Sequence, residues 1–186
     1  SIKFLLAFQP QTKEELQSAV DLWISNEAQA EATYGNISDW DVSNVTNMYG
    51  LFGTPGNNSS TPEIYFNDDI SNWDVSNVTS FGWMFANCVD FNQDLSSWDV
   101  SNATDLSRMF KDNHSFNQDI SSWELTNATS IHGMFLRAGS FNQDLSSWDV
   151  SNITGFGYTF YGDEGIASSF NQDISSWDIS SATSMN

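Results

Sequence analysis

The chain has only one cysteine, Cys88, in 186 residues, so no internal disulfide can brace it, and its place in Met84-Phe85-Ala86-Asn87-Cys88 reads as a small buried hydrophobe. Basic residues are nearly as scarce. Five Lys and Arg stand against 24 Asp and Glu, for a net charge of -19. That balance excludes the electrostatic footprint of a nucleic-acid binder or an anionic-membrane binder and favours cations or basic partners. No apolar run approaches the roughly 20 residues of a membrane helix, so no membrane insertion is expected. The apolar stretch Ile2-Lys3-Phe4-Leu5-Leu6-Ala7-Phe8 lacks the basic start and cleavage site of a signal peptide and reads as a processing remnant or a strand. The two histidines, His114 and His132, occupy non-equivalent positions, and no Ser-His-Asp, H-E-x-x-H or phosphate-loop pattern is present. These absences remove the usual grounds for reading an enzyme.

What the chain has in abundance is self-similarity. Trp40, Trp73, Trp98, Trp123, Trp148 and Trp177 mark six copies of one unit, with steps of 33, 25, 25, 25 and 29 residues. Phe91 to Phe110 reads F-N-Q-D-L-S-S-W-D-V-S-N-A-T-D-L-S-R-M-F, and Phe116 to Phe135 repeats it with few changes. A unit this short cannot bury its own apolar residues, so the copies must stack as a solenoid. A rod of this kind presents surface, which points to binding or scaffolding.

Positions are counted here from each repeat tryptophan. Position -3 is Ile37, Ile70, Leu95, Ile120, Leu145 and Ile174, and position +2 is Val42, Val75, Val100, Leu125, Val150 and Ile179. Trp and +2 alternate like a strand. Apolar residues then recur at +5, +8, +11 and +12, ending in pairs such as Met84-Phe85 and Met109-Phe110, and this spacing predicts a short helical turn. The expected fold is an α/β repeat solenoid of leucine-rich-repeat type, with one short parallel strand and one short helical turn per coil. The indoles form an internal column at about 4.8 Å spacing. Each buries on the order of 200 Å², or ~5 kcal/mol before entropy. Asp at -4 or Asn at +4 is the candidate partner of each indole N–H.

The N-terminal segment, residues 1–33, differs. Thr12-Lys13-Glu14-Glu15 has the form of a helix start, and Leu16, Ala19, Val20, Trp23 and Ile24 follow at helical spacing, which predicts one capping helix from about Lys13 to Ala32. Residues 34–186 are the six-copy solenoid, the last copy reading as truncated at Ser184-Met185-Asn186.

The order L-x-x-W-x-V-x-x-A-x-x-L-x-x-M-F, as in Leu95, Trp98, Val100, Ala103, Leu106, Met109 and Phe110, resembles the BspA-like leucine-rich repeats of bacterial and protist surface proteins. Met84-Phe85-Ala86-Asn87-Cys88-Val89-Asp90-Phe91 is similar to the A-F-x-x-C-x-x-L segment of that class, and the resemblance runs from about Tyr34 to Asn186. Tryptophan at the strand position and Met before Phe depart from it. The resemblance implies surface exposure and adhesion or partner binding, with no activity to carry over.

Three polar columns stand out. Asp41, Asp74, Asp99, Glu124, Asp149 and Asp178 follow the tryptophans and should face water, one per rung. Neighbours about 5 Å apart repel by ~0.8 kcal/mol per pair in water. One reading makes the column a partner-binding strip, or a strip for Ca²⁺ held by Asp74, Asp99, Glu124 and Asp149 with help from Ser97, Ser101, Ser147 and Ser151. The plainer reading is a solvated face copied by repeat duplication. Asp69, Asp94, Asp119, Asp144 and Asp173 at -4 suit turn capping. Asn44, Asn77, Asn102, Asn127 and Asn152 are formal glycosylation acceptors, or an internal asparagine ladder between coils.

The period is broken twice, by eight extra residues between Phe52 and Phe66 and four between Phe160 and Phe170. Both insertions follow the Met-Phe segment and project from one edge, where Asn57 and Asn58 are candidate partner-binding residues. The expectation is a monomeric, non-enzymatic, extracellular or cell-surface module that binds a protein or glycan partner and needs no cofactor. The alternatives are a Ca²⁺-stabilised spacer of a long adhesin and, third, a carbohydrate-active enzyme built on paired carboxylates of the exposed face.

Overall fold

A computed structural model describes residues 7–56, 62–163 and 165–185. The cap comes first, as two helices: α1, Lys13–Ser25, and α2, Glu27–Tyr34. Thr12 caps α1, its hydroxyl accepting from the Glu15 amide at 3.2 Å, while the Glu15 carboxylate accepts from the Gln11 amide at 2.8 Å. The single helix expected from the spacing is broken at Asn26, whose side chain accepts from the Gln29 amide and starts α2. Leu16, Ala19, Val20 and Trp23 face the first coil, but Ile24, placed on that face by the spacing, is exposed. Trp23 meets Trp40 edge-on at 5.7 Å and donates to the Asp68 carboxylate at 2.8 Å, which ties the cap to the first two coils. The rest of the Ile2–Phe8 run lies outside the described residues, apart from Ala7 and Phe8.

Beyond the cap, the described residues contain no named strand and no α-helix; the chain is a series of turns, with one 3-10 turn at Ile37–Asp39. This corrects the strand-plus-helix expectation. The segment around Trp and +2 makes a tight turn, in which the Ala103 amide donates to the Val100 carbonyl at 2.8 Å. Parallel pairing occurs further on, as single bridges at +7 linking Asn47, Ser80, Asp105, Ser130, Gly155 and Ser184 in sequence order.

The Met-Phe segment is a double ladder. Alternate amides donate to the next coil, as from Phe81 to Asp105, Trp83 to Ser107 and Phe85 to Met109, each at 2.9 Å. Others close turns within the coil, as from Met84 to Phe81 at 3.0 Å and Met109 to Leu106 at 3.3 Å. Position +10 sits inside these turns with φ of 63° at Gly50, 60° at Trp83, 57° at Arg108, 61° at Gly133 and 60° at Tyr158. Backbone groups that a helix would satisfy internally are here divided between turns within the coil and bonds to a neighbouring coil.

The core is aromatic. Trp40, Trp73, Trp98, Trp123 and Trp148 are buried, and Trp177 in the last described coil is half-buried. From the second coil on, each indole N–H finds a backbone carbonyl of the preceding coil: Trp73 donates to Ile37 at 2.9 Å, Trp98 to Ile70 at 3.2 Å and Trp123 to Leu95 at 3.0 Å, while Trp40 donates to Gly35 at the end of the cap. Neither Asp at -4 nor Asn at +4 is the partner. Beside the indoles run two phenylalanine columns. Phe52, Phe85, Phe110, Phe135 and Phe160 stack at 5.5 to 5.7 Å between centroids. Phe85 and Phe91 pair face to face within one coil at 4.1 Å, and Phe110 and Phe116 at 4.0 Å. Such pairs add ~0.5–1.5 kcal/mol each beyond the area they bury. The second column, beginning at Phe66, heads each F-N segment; sequence reasoning gave it no role.

Candidate functional site

Both acidic columns shape turns. At +1, the carboxylates of Asp74, Asp99, Asp149 and Asp178 accept from the backbone amides of Ser76, Ser101, Ser151 and Ser180 at 3.0 to 3.1 Å. At -4, Asp69, Asp94, Asp119, Asp144 and Asp173 do the same with the serine two residues on, at 2.8 to 2.9 Å. An aspartate that closes its own turn has a local reason to recur. The serine bonds hold Asp99 and Asp149 below the usual carboxylate range. Asp74, Asp99, Glu124, Asp149 and Asp178 are exposed, while Asp41 is half-buried and takes a further bond from Gln9 at 2.6 Å. Glu124, with a longer stem, makes no turn of this kind among the described residues. A groove of about 300 Å³ between the third and fourth coils brings Asp99 and Glu124 together with Ser97, Ser101 and Ser122. Among the described residues no set of three or more His, Cys, Asp or Glu is arranged to hold a metal ion.

The asparagine column at +4 bridges coils as expected, but from outside. Asn77, Asn102 and Asn127 are exposed and donate to the carbonyls of Ser43, Ser76 and Ser101 at 2.8 to 3.0 Å. Exposed threonines at +6 form a parallel ladder, with Thr104 donating to the Thr79 carbonyl and Thr129 to that of Thr104 at 3.0 Å. The asparagine and threonine columns thus hold one coil on the next, whereas the acidic columns close turns within their own coils.

The edge at +9 to +14 is different, because there the copies diverge. Position +10 holds Gly50, Trp83, Arg108, Gly133 and Tyr158, and +13 holds Gly53, Ala86, Lys111, Leu136 and Tyr161. Arg108 lies 5.0 Å from the centre of the Trp83 ring and donates through Nη2 to His132 Nε2 at 3.1 Å. That bond requires the neutral His132 tautomer with its proton on Nδ1. Burial and the nearby Arg108 charge both lower the His132 pKa, which keeps that form. Tyr158 meets His132 edge-on at 5.7 Å, and Tyr161 meets Tyr158 at 5.6 Å. Lys111 also sits over Trp83 and pairs with Asp112, which is gripped by Arg137 through two bonds at 2.5 and 2.7 Å. Burial raises Asp112, but the bonds from Arg137 and Lys111 outweigh it and leave the carboxyl below its usual range. At the head of the same edge Lys13 lies over Tyr49 at 5.6 Å.

The shorter insertion borders this edge: Arg137 donates to the Asp163 carboxylate at 3.2 Å, and Asp163 accepts from the Gly165 and Ile166 amides. The longer one rejoins the stack through the Ile64 amide, which donates to Asn87 at 2.9 Å. Asn57 and Asn58 lie outside the described residues. An apolar cleft of about 540 Å³, on the side where earlier coils carry their successors, is lined by Phe156, Tyr158, Phe160, Trp177, Ile179 and Met185. Of the edge residues, sequence reasoning singled out only His132, as a lone histidine. The available signal was internal: two copies carry glycine at +10 where three carry Trp, Arg or Tyr.

These features define a stacked repeat protein with a uniform interior and one individualised edge. The family described as "Mycoplasma protein of unknown function, DUF285" matches residues 26–112 and 95–186, and the chain belongs to it through these two overlapping matches. Neither the curated proteins nor the solved structures provide a match to this chain.

Proposed function

We propose that this chain is a non-enzymatic partner-binding module displayed outside the cell or on its surface, with the +9 to +14 edge as its recognition face. The observation that supports this is the division of labour among columns. Residues that repeat with little change close turns within a coil or bond one coil to the next, whereas the large side chains that differ between copies gather on one edge. The resemblance to BspA-like leucine-rich-repeat surface proteins supports the location and the adhesive role. Trp, Tyr and Arg are also the residue types that dominate binding hot spots.

The test is binding of the whole chain to arrays of extracellular proteins and glycans, in comparison with Tyr158→Gly and with a triple change of Asp74, Asp99 and Glu124 to Asn, Asn and Gln. The edge variant should lose a captured partner at least tenfold and the triple variant should keep it. The reverse pattern would move recognition to the acidic strip. A second reading, the Ca²⁺-stabilised spacer, is favoured by one feature: the turn bonds of Asp99 and Asp149 engage Oδ1 and leave Oδ2 without a partner among the described residues.

A further inference from the structure

The chain's few cations are segregated. All four described Lys and Arg side chains touch the individualised edge: Lys13 over Tyr49, Arg108 and Lys111 over Trp83, and Arg137 on Asp112. Three of them are already engaged. Lys13 donates to the Tyr49 carbonyl at 2.5 Å, Lys111 pairs with Asp112, and Arg137 uses all three guanidinium nitrogens on Asp112 and Asp163. Arg108 is different: its guanidinium lies 5.0 Å from the centre of the Trp83 ring and is anchored by His132, with no carboxylate bound to it among the described residues. A half-exposed, pre-ordered guanidinium of this kind loses little further freedom when it takes a carboxylate.

The backbone adds a separate argument. Position +10 requires a left-handed residue, and glycine meets that need at Gly50 and Gly133. Trp83, Arg108 and Tyr158 adopt the same conformation against their intrinsic preference, although the ladder bonds of Gly50 and Gly133 are equally short, at 2.8 Å. Stacking therefore does not call for these large side chains; Trp83 is buried beneath Arg108 and Lys111, whereas Arg108 and Tyr158 reach the surface.

We infer that the +10 edge receives an acidic peptide segment of a partner protein, with Arg108, backed by the buried Trp83, taking a carboxylate and the exposed Tyr158 ring covering its backbone. This rests on the partner-binding reading above and names that partner's chemistry. Of the carboxylates near this edge, Asp112 is engaged by Lys111 and Arg137 and Asp105 accepts from the Ser107 amide, and charges of the -19 chain more than about 8 Å away are screened at working salt.

The test is titration of the whole chain with fluorescein-labelled hexaglutamate at 0.05 and 0.15 M NaCl, with hexalysine as the opposite probe. Hexaglutamate should bind, weaken with salt, and shift the NMR signals of Trp83, His132 and Tyr158. Arg108→Gly should weaken it at least tenfold without lowering the melting temperature, since glycine suits this backbone, and Arg108→Lys should restore only part. Failure of hexaglutamate to bind at 1 mM, or equal binding to Arg108→Gly, overturns the inference. Capture of hexalysine alone, lost when Asp74, Asp99 and Glu124 are neutralised, also overturns it while leaving partner binding standing. Binding of neither probe overturns it as well, and partner binding is then judged by the array experiment alone.

Discussion

The indole Nε1 of Trp98 donates to the backbone carbonyl of Ile70 in the preceding coil at 3.2 Å, and both groups are buried. The bond explains why an aromatic with a polar handle stands where an aliphatic residue would fill space. Replacing Trp98 with Phe keeps a ring and leaves the Ile70 carbonyl its bond from the Trp73 amide at 3.1 Å, so the loss of one buried bond should destabilise the protein by about 0.5–1.5 kcal/mol. The equivalent change at half-buried Trp177 should cost less. Urea midpoints of the two variants give the comparison, and equal shifts would contradict it.

Stability should respond to acid in one direction. Backbone amides of Ser71, Ser96 and Ser121 hold Asp69, Asp94 and Asp119 below their ordinary values. A folded pKa below the unfolded one contributes stability that is present above the unfolded value, about 3.9, and is lost as pH falls through the folded value. The melting temperature should hold from about pH 7 to pH 5 and fall below about pH 4. A rise between pH 5 and 4 would instead mean that repulsion among the carboxylates outweighs their turns.

Calcium should do little. Each Oδ1 of Asp99 and Asp149 already closes a turn, and no described set of three or more acids converges on one point. Millimolar Ca²⁺ should raise the melting temperature no more than NaCl of equal ionic strength. A larger rise, reversed by chelator, would favour the spacer.

Cys88 is fully buried, and burial raises its thiol pKa. In the native protein it should resist a chromogenic disulfide reagent for hours and react within minutes in 6 M guanidinium. Fast reaction of the native protein would show that the second coil opens readily.

The repeat, its buried tryptophans and its N-terminal cap were legible because periodic apolar spacing encodes them directly. The secondary structure was not. Alternation of Trp98 and Val100 looks like a strand, yet it arises from a tight turn closed by Asp99 and Ser101, and the Met-Phe spacing looks helical although Phe85 and Phe110 bond across coils. Such bonds join residues 24 or more positions apart, and local pattern does not register them. The acidic column was conspicuous for its uniformity, but uniformity marks what every coil needs in order to stack. The edge at Trp83, Arg108 and Tyr158 became visible only when the backbone showed that these residues share a conformation with Gly50 and Gly133.

Residue-resolved hydrogen exchange by NMR tests the stacking of coils most directly. The account predicts that the amides of Phe85, Phe110, Thr104 and Thr129, which bond from one coil to another, are among the slowest in the chain. Exchange of these four at the rate of unbonded surface amides would contradict it.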